Sequence, residues 1–290
     1  MLSESFLKKL NAFSLSMREY ARGYMGGMRR SKAQGDSVEF YDFRSYALGD
    51  DPRRIDWNAF ARFDKLFVKL FLDEQETSLR ILLDASASMR YDEPDKWDLA
   101  IRLAAALSYL ALTRYDRVTI VRLQGESAVA SQTFSGRQAY PEVTAYLSSI
   151  ALSGKTSLNR SLPRVPLTSG RGICVLISDL LSAEGWTKGA DALLHRRQEL
   201  TMLHILSLKE LSPDFSGSVQ LIDSEDGQAV DVQISQDTLK RYHQALEAFL
   251  LEQRGFCFQR AIPYLLLRSD MDLERDVLRA LLGAGVIAAR

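Results

Sequence analysis

The chain has 290 residues, of which 46 % are apolar and 26 % charged, as is ordinary for a soluble globular protein with an ample core. Lys and Arg number 37, and so do Asp and Glu, which argues against a general nucleic-acid binder, because such proteins carry a basic face. No stretch reaches the roughly 18 apolar residues that span a bilayer, and the start lacks the apolar core of a signal peptide. We therefore expect a cytoplasmic protein with no integral membrane segment.

The first 78 residues are predicted to form a helix followed by a pair of strands. Apolar residues recur at helical spacing after Ser3 or Ser5, which predicts a helix over residues 3–25 that ends at Gly26-Gly27. Aromatic and branched residues predict strands over residues 38–46 and 66–72.

From residue 79 onwards, strands and helices alternate. The predicted strands are 79–83, 118–123, 128–134, 173–177, 200–208, 219–222, 229–234 and 256–259. The predicted helices are 96–114, 140–150, 157–162, 187–198, 236–252 and 273–282. This alternation predicts an α/β domain over residues 79–290, with a mostly parallel sheet and helices on both of its faces.

The two cysteines, Cys174 and Cys257, each fall in an apolar run that reads as a strand. A free cysteine in such a place acts as a small apolar residue. Two such residues do not form a disulfide scaffold, which favours a reducing compartment.

The strand 79–83 ends in the sequence Asp84-Ala-Ser86-Ala-Ser88. Alternation turns the carboxylate and the two hydroxyls toward one side of the loop, at the edge where open α/β sheets bind ligands. Hard cations such as Mg²⁺ take oxygen ligands of this kind. The bland alternative is that the carboxylate caps a helix and the serines satisfy loop backbone groups.

Two later segments are predicted to reach the same edge. Residues 153–158 form a glycine-containing loop that presents Thr156, and the strand 173–177 leads to Asp179. Because adjacent parallel strands end at the same rim, Asp84 and Asp179 should lie close together. Asp179 is open to the same bland alternative, as a helix cap.

This three-part pattern resembles the metal-ion-dependent adhesion site of von Willebrand factor A (VWA) domains. The resemblance implies a VWA-like, Rossmann-like fold and one metal ion, Mg²⁺ or else Mn²⁺ or Ca²⁺. It assigns Ser86, Ser88 and Thr156 as direct ligands, and Asp84 and Asp179 as ligands that act largely through water. One coordination position is then left for a Glu or Asp of a protein partner. Lys155, beside the threonine, either attracts that carboxylate or points into solvent.

A second resemblance lies in residues 44–62. The pattern Arg44-x-Tyr46-x-x-Gly-Asp-Asp-x-Arg-x-Ile-Asp-Trp57, followed by Ala-Arg62, is similar to the signature of bacterial domain-of-unknown-function family fifty-eight. In that family the signature precedes a VWA-like domain, and members are typically encoded beside MoxR-type AAA+ ATPases. The resemblance therefore implies an adaptor with such an ATPase or its client as partner, and a signature segment within residues 1–78 that packs on the main domain.

The signature mixes arginines with aspartates: Arg44, Arg53, Arg54, Arg62, Asp50, Asp51, Asp56 and Asp64. Such a mixture fits a partly buried ion-pair network that clamps a long loop, or else a docking surface. Trp57 and Phe60 are expected to anchor the loop to the main domain.

Enzymatic interpretations are weaker. Residue 149 is a serine where a Walker A loop needs glycine, and Ser86 stands where a haloacid-dehalogenase-type phosphatase needs a second carboxylate. His204 falls in a strand and is expected to be a satisfied core residue rather than a base. We expect no enzyme activity; a metal-dependent hydrolase of the phosphatase type and a VWA scaffold without a metal role stay open as alternatives.

Overall fold

A computed structural model describes residues 2–15, 38–47, 50–73, 78–92, 94–114, 116–167, 172–224 and 227–289. The chain forms two compact units, of which the larger joins Met1–Met25 to Thr77–Arg290 and the smaller is Gly26–Glu76. The first helix therefore belongs with the α/β domain rather than with the signature segment. The packing of that segment on the main domain stays a prediction.

The described strands and helices are numbered in chain order. The strands are β1 (Phe13–Leu15), β2 (Val38–Ser45), β3 (Phe67–Asp73), β4 (Ser78–Asp84), β5 (Arg117–Gln124), β6 (Ser127–Ala130), β7 (Phe134–Ser135), β8 (Gly172–Ser178), β9 (Gln198–Leu206), β10 (Gly217–Ile222), β11 (Ala229–Ile234), β12 (Tyr264–Arg268) and β13 (Ile287–Ala289). The α-helices are α1 (Glu4–Leu10), α2 (Trp57–Phe63), α3 (Lys96–Leu112), α4 (Tyr140–Ser149), α5 (Leu158–Ser161), α6 (Thr187–His195), α7 (Leu208–Leu211), α8 (Gln236–Gln259) and α9 (Leu278–Gly283).

The main sheet of the larger unit runs β12-β9-β8-β4-β5-β6, with β7 paired to β5. The strands from β12 to β5 are parallel, and β6 and β7 are antiparallel to β5. Counted along the chain, this is the strand order 6-5-4-1-2-3 of a doubly wound α/β sheet, in which ligands bind beyond the carboxyl ends of the strands. The expected α/β fold with a mostly parallel sheet is confirmed.

Both faces of the sheet are covered. Along β4, Leu79, Ile81 and Leu83 pack into a core that includes α3, whereas Leu82 packs on the other side with residues of α5 and α6. Alternate residues of one strand thus face two different apolar layers, which is why the three consecutive residues Ile81, Leu82 and Leu83 are all apolar.

Two predicted elements are wrong. The helix predicted over residues 3–25 is interrupted: α1 ends at Leu10, and β1 follows and pairs with β13; residues 16–25 lie outside the described residues. The strand predicted over residues 256–259 is the last turn of α8. Its aromatic run resembles a strand, but Gln253 and Cys257, four residues apart, are buried while Phe258 is 87 % exposed, as on a helix.

The cysteines follow the expectation of burial. Both are free and buried, and burial raises the pKa of each thiol to about 12. Cys174 lies in β8, as expected, whereas Cys257 lies in α8. Among the described residues, no helix has the length and apolar character needed to cross a membrane.

Candidate metal centre

The candidate site begins with two neighbouring central strands. β4 and β8 run in parallel, and their register pairs Leu83 with Ile177. The next residues, Asp84 and Ser178, therefore meet at the carboxyl edge, where the Ser178 hydroxyl donates to Asp84 Oδ2 over 2.6 Å. Asp84 is 3 % exposed and Asp179 is 1 % exposed, so the sheet brings two buried carboxylates to one rim.

The loop after β4 returns its hydroxyls toward Asp84. The backbone N–H of Ser86 donates to Asp84 Oδ1 over 3.1 Å. A short 3-10 turn over Ala87–Met89 then brings Ser88 back, and the Ser86 and Ser88 hydroxyl oxygens lie 2.9 Å apart. The structure thus places the Asp-x-Ser-x-Ser residues together, as the sequence predicts.

The glycine-containing loop is tied to this loop by backbone hydrogen bonds. The N–H of Ala87 donates to the carbonyl of Gly154 over 2.9 Å, and that of Ser153 donates to the carbonyl of Ala85 over 3.2 Å. Thr156 forms a parallel bridge with Gly125. Thr156 is 5 % exposed, and its hydroxyl donates to the carbonyl oxygen of Leu123 over 3.4 Å. The same hydroxyl helps to lower the pKa of Asp84, which places it beside that carboxylate. All five predicted site residues are therefore gathered at one edge.

Sequence reasoning missed a buried cation at this edge. Lys96, the first residue of α3, is fully buried, and its ammonium donates to Asp179 Oδ2 over 2.7 Å and to Glu210 Oε1 over 2.6 Å. Burial opposes the charged form, but the two carboxylates outweigh it and raise the pKa of Lys96. The available signal was its place at a helix N-terminus, where the helix dipole disfavours a cation unless an anion lies nearby.

The electrostatics of the rim favour an additional cation. Burial, together with the charge of Asp179, raises the pKa of Asp84 to about 6 in spite of its hydrogen bonds. Three carboxylates, those of Asp84, Asp179 and Glu210, stand against the ammonium of Lys96, so these four groups carry a formal charge of −2 near neutral pH. A divalent ion would neutralise this excess.

The donor set fits a hard divalent cation. Within the described residues, no group of three or more His, Cys, Asp or Glu side chains is arranged to hold a metal ion, so a metal here depends on the serine and threonine hydroxyls. Hydroxyl and carboxylate oxygens are ligands that suit Mg²⁺, which also keeps several waters. Asp84 does not cap an α-helix: its oxygens accept the Ser86 N–H and the Ser178 hydroxyl. Asp179 also accepts a local backbone bond, from the N–H of Leu181, so the structural alternative and the metal site both stay open.

His204 has the structural role expected of it. One ring nitrogen lies 2.7 Å from the Tyr264 hydroxyl, and the other lies 2.9 Å from the carbonyl oxygen of Asp179. Burial lowers the pKa of the imidazole to about 4, so the ring is neutral at physiological pH. Both nitrogens are engaged, which removes His204 as a base for the rim.

Lys155 is half exposed, and its ammonium lies 4.0 Å from Asp223 Oδ2. Asp223 immediately follows β10, so this contact brings the β10–β11 hairpin beside the loop that carries Thr156. Lys155 is thus partly exposed to solvent and also contacts the hairpin, so neither attraction of a partner carboxylate nor simple solvation describes it alone.

The described residues of the signature segment form helix caps and ion pairs. Asp56 accepts the backbone N–H groups of Asn58 and Ala59 and begins α2, a helix that the sequence did not predict. Arg44 and Asp50 pair over 2.8 Å, while the pair Arg53–Asp51 is exposed and contributes little. The described residues of the signature thus contain two ion pairs and two helix caps, and the expected network stays a prediction; the side chain of Arg54 lies outside the described part of the chain.

The aromatic residues of the signature are exposed. Trp57 is 61 % exposed and Phe60 is 38 % exposed, and the two rings meet edge to face with centroids 6.2 Å apart. The anchoring role expected of these rings stays a prediction.

The chain is similar to a known protein family and to several known proteins. Residues 42–249 match the family described as "Protein of unknown function DUF58". The chain belongs to this family. The match covers the signature segment and the positions of Asp84, Thr156 and Asp179.

Relatives of this DUF58 protein have no assigned activity in their descriptions. The uncharacterized protein Rv1480 of Mycobacterium tuberculosis is 24 % identical over 277 residues, which cover 93 % of this chain and 87 % of the relative, and Mb1516 of Mycobacterium bovis matches equally.

Solved structures with a similar arrangement include the conserved hypothetical protein BatB from Bacteroides thetaiotaomicron, at 13 % identity and a TM-score of 0.44, covering 72 % of this chain and 98 % of that chain. The VWA domain of SpRpn10 matches at 10 % identity and a TM-score of 0.40, and the match covers 70 % of this chain and 94 % of that domain's chain.

Proposed function

We propose that this DUF58 protein is a metal-dependent protein-binding adaptor. In this proposal Asp84, Ser86, Ser88, Thr156 and Asp179 hold one Mg²⁺, or else Mn²⁺ or Ca²⁺, and the site captures an acidic side chain of a protein partner. The single observation that carries the proposal is the gathering of these five oxygen-bearing side chains at one sheet edge, where Asp84, Asp179, Glu210 and Lys96 together carry a formal charge of −2.

In this proposal the hydroxyl and carboxylate side chains have different roles, which follow from their charges and contacts. The Ser86, Ser88 and Thr156 hydroxyls are neutral, so they would hold a cation without cancelling its charge. Asp84 is engaged by Ser178 and by the Ser86 N–H, and it supplies negative charge from behind the hydroxyls. A bound divalent ion supplies electrostatic attraction for an incoming carboxylate, which the two aspartates alone would repel.

The partner is proposed from family resemblance together with this chemistry. Members of the family are typically encoded beside MoxR-type AAA+ ATPases, so we propose such an ATPase or its client as the protein that presents the carboxylate. A nucleic acid is not proposed, because the chain carries equal numbers of basic and acidic residues.

Hydrolysis is not proposed. A hydrolase needs a base or nucleophile beside the metal. At the described rim, both nitrogens of His204 are hydrogen-bonded, and Lys96 is held between two carboxylates. No feature of the site favours a phosphatase over a binding site.

The decisive experiment is affinity capture of partners from the native cell on immobilised protein, with Mg²⁺ and with EDTA. We expect a partner that is retained only with the divalent ion and is lost from the Asp84→Ala protein. Asp237→Ala is the matched control, because Asp237 is an exposed aspartate in the first turn of α8. Capture that is equal in EDTA, or unaffected by Asp84→Ala, would show that the metal site is not the recognition element.

A further inference from the structure

Lys96 is a buried cation that the proposed binding function does not use. Its side chain has no exposed surface, and its ammonium lies between Asp179 Oδ2 at 2.7 Å and Glu210 Oε1 at 2.6 Å. A cation at the first position of a helix is disfavoured by the helix dipole, so these two carboxylates account for its place there. The arrangement therefore reflects a requirement of the rim rather than of the helix.

We propose that Lys96 is a positioning residue that sets the ion preference of the metal site by withholding Asp179 from direct coordination. The inference rests on the proposed metal function and specifies its selectivity. Both oxygens of Asp179 are engaged, Oδ2 by Lys96 and Oδ1 by the N–H of Leu181 over 3.1 Å. A metal ion bound directly to Oδ2 would have to share one oxygen with an ammonium, and the two cations would repel each other.

The consequence is a site with few direct carboxylate ligands. Ca²⁺ takes six to eight oxygen ligands and uses carboxylates in one-oxygen or two-oxygen contacts, whereas Mg²⁺ retains waters and needs only one or two carboxylates. While Lys96 occupies Asp179, the direct donors at the rim are chiefly the hydroxyls of Ser86, Ser88 and Thr156. Such a set discriminates against Ca²⁺.

Glu210 keeps the ammonium in place. Its carboxylate accepts the N–H of Ser207 over 2.7 Å while its own N–H donates to the Ser207 hydroxyl, a capping box that fixes the start of α7. Its carbonyl oxygen accepts the Tyr242 hydroxyl over 2.6 Å. Lys96 is therefore held by two carboxylates, of which Glu210 is fixed by its own capping bonds and Asp179 accepts the ammonium independently of it.

The test is the ratio of Mg²⁺ to Ca²⁺ affinity, measured by titration calorimetry on the full chain. In Lys96→Met, Asp179 becomes available to the metal, and we expect the ratio to shift toward Ca²⁺ by tenfold or more. The double variant Lys96→Met/Glu210→Gln removes one charge of each sign and keeps the formal charge of −2. It should show the same shift, and it decides the question if Lys96→Met alone does not fold.

Glu210→Gln is the matched control. It lowers the negative charge but leaves Lys96 on Asp179, so both affinities should fall together and their ratio should stay within twofold of the wild type. The rise in melting temperature on adding Ca²⁺ gives a second readout, which should be larger in the double variant than in the wild type. A merely structural lysine would lower stability without changing this ion preference.

The two hypotheses fail in different ways. Wild-type protein that binds neither ion would contradict the proposed metal function itself. Wild-type protein that binds Mg²⁺, together with a ratio unchanged in both Lys96 variants, would overturn only the role assigned to Lys96.

Discussion

The Ser178 hydroxyl donates to the Asp84 carboxylate across two neighbouring parallel strands, over 2.6 Å. This bond joins the last residue of β8 to the last residue of β4, and it orients the carboxylate that lies at the centre of the rim. Because both residues are buried, the orientation depends on strand register rather than on a flexible loop.

Asp84 is expected to be indispensable for metal binding, whereas each hydroxyl contributes less. Asp84→Ala removes a buried charge and the acceptor of Ser86 and Ser178, so Mg²⁺ binding measured by calorimetry should be lost. Ser86→Ala or Thr156→Ala removes one neutral donor, and a reduction of about tenfold is expected, equivalent to about 1.4 kcal/mol. Equal Mg²⁺ binding by wild type and Asp84→Ala would refute the site.

Metal-free protein should lose stability as the pH rises from about 4 to about 6. The pKa of Asp84 is raised from 3.8 to about 6 in the folded state, so over this range the folded protein binds more protons than the unfolded chain. The full effect is on the order of 3 kcal/mol, at about 1.4 kcal/mol per pKa unit. Mg²⁺ affinity should rise over the same range, because the ion needs the carboxylate.

The control for this pH dependence is Asp84→Asn, which does not titrate. Chemical denaturation between pH 4 and pH 7 should show a flatter curve for the variant than for the wild type. Parallel curves for the two proteins would assign the pH dependence to other groups.

Gly189 is predicted to be essential for the packing behind the threonine loop. A Cβ at this position in α6 would lie 2.6 Å from the carbonyl oxygen of Leu158 and 2.9 Å from Leu162 Cβ. Gly189→Ala should therefore lower the melting temperature, with a cost of about 1–3 kcal/mol typical of overpacking. Because α5 begins two residues after Thr156, Mg²⁺ affinity should fall as well.

Gly255 offers the matched control, since it lies inside α8 with nothing within 4 Å of an added Cβ. Gly255→Ala should stabilise the protein by about 0.5–1 kcal/mol, as expected for alanine in place of glycine in a helix interior. A melting temperature that moved in the same direction for both variants would contradict the packing argument.

Asp56 is predicted to stabilise the signature segment without affecting the metal site. Asp56→Ala removes an N-cap that accepts two N–H groups, which typically costs about 1 kcal/mol. Hydrogen exchange at the amides of Asn58 and Ala59 should accelerate, while Mg²⁺ affinity should stay the same. Trp57→Ala should change stability little, because its ring is 61 % exposed; a large loss of stability would support the anchoring role instead.

The rim was predictable from sequence because its residues follow apolar strands. Asp84 and Asp179 each come after a buried run, and parallel pairing then fixes their common edge. The position of Lys96 at a helix N-terminus hinted at a nearby anion, but its pairing with Glu210 was not predictable, because Glu210 is 114 residues away and only the fold brings the two together. The end of α8 was misassigned because an apolar run such as Phe256-Cys257-Phe258 suits a strand or a helix, and packing of Cys257 decides between them.

The pairing of β1 with β13 has a consequence for biosynthesis. Leu15 pairs with Ile287, and their sequence numbers differ by 272. During translation the earlier strand is made long before its partner, so this ladder forms only after nearly all of the larger unit has left the ribosome. Phe6, Leu10 and Leu15 are buried in the core of the folded unit. Until the rest of that core has been synthesised these side chains stay exposed, so this segment is a target for a chaperone that shields nascent apolar residues.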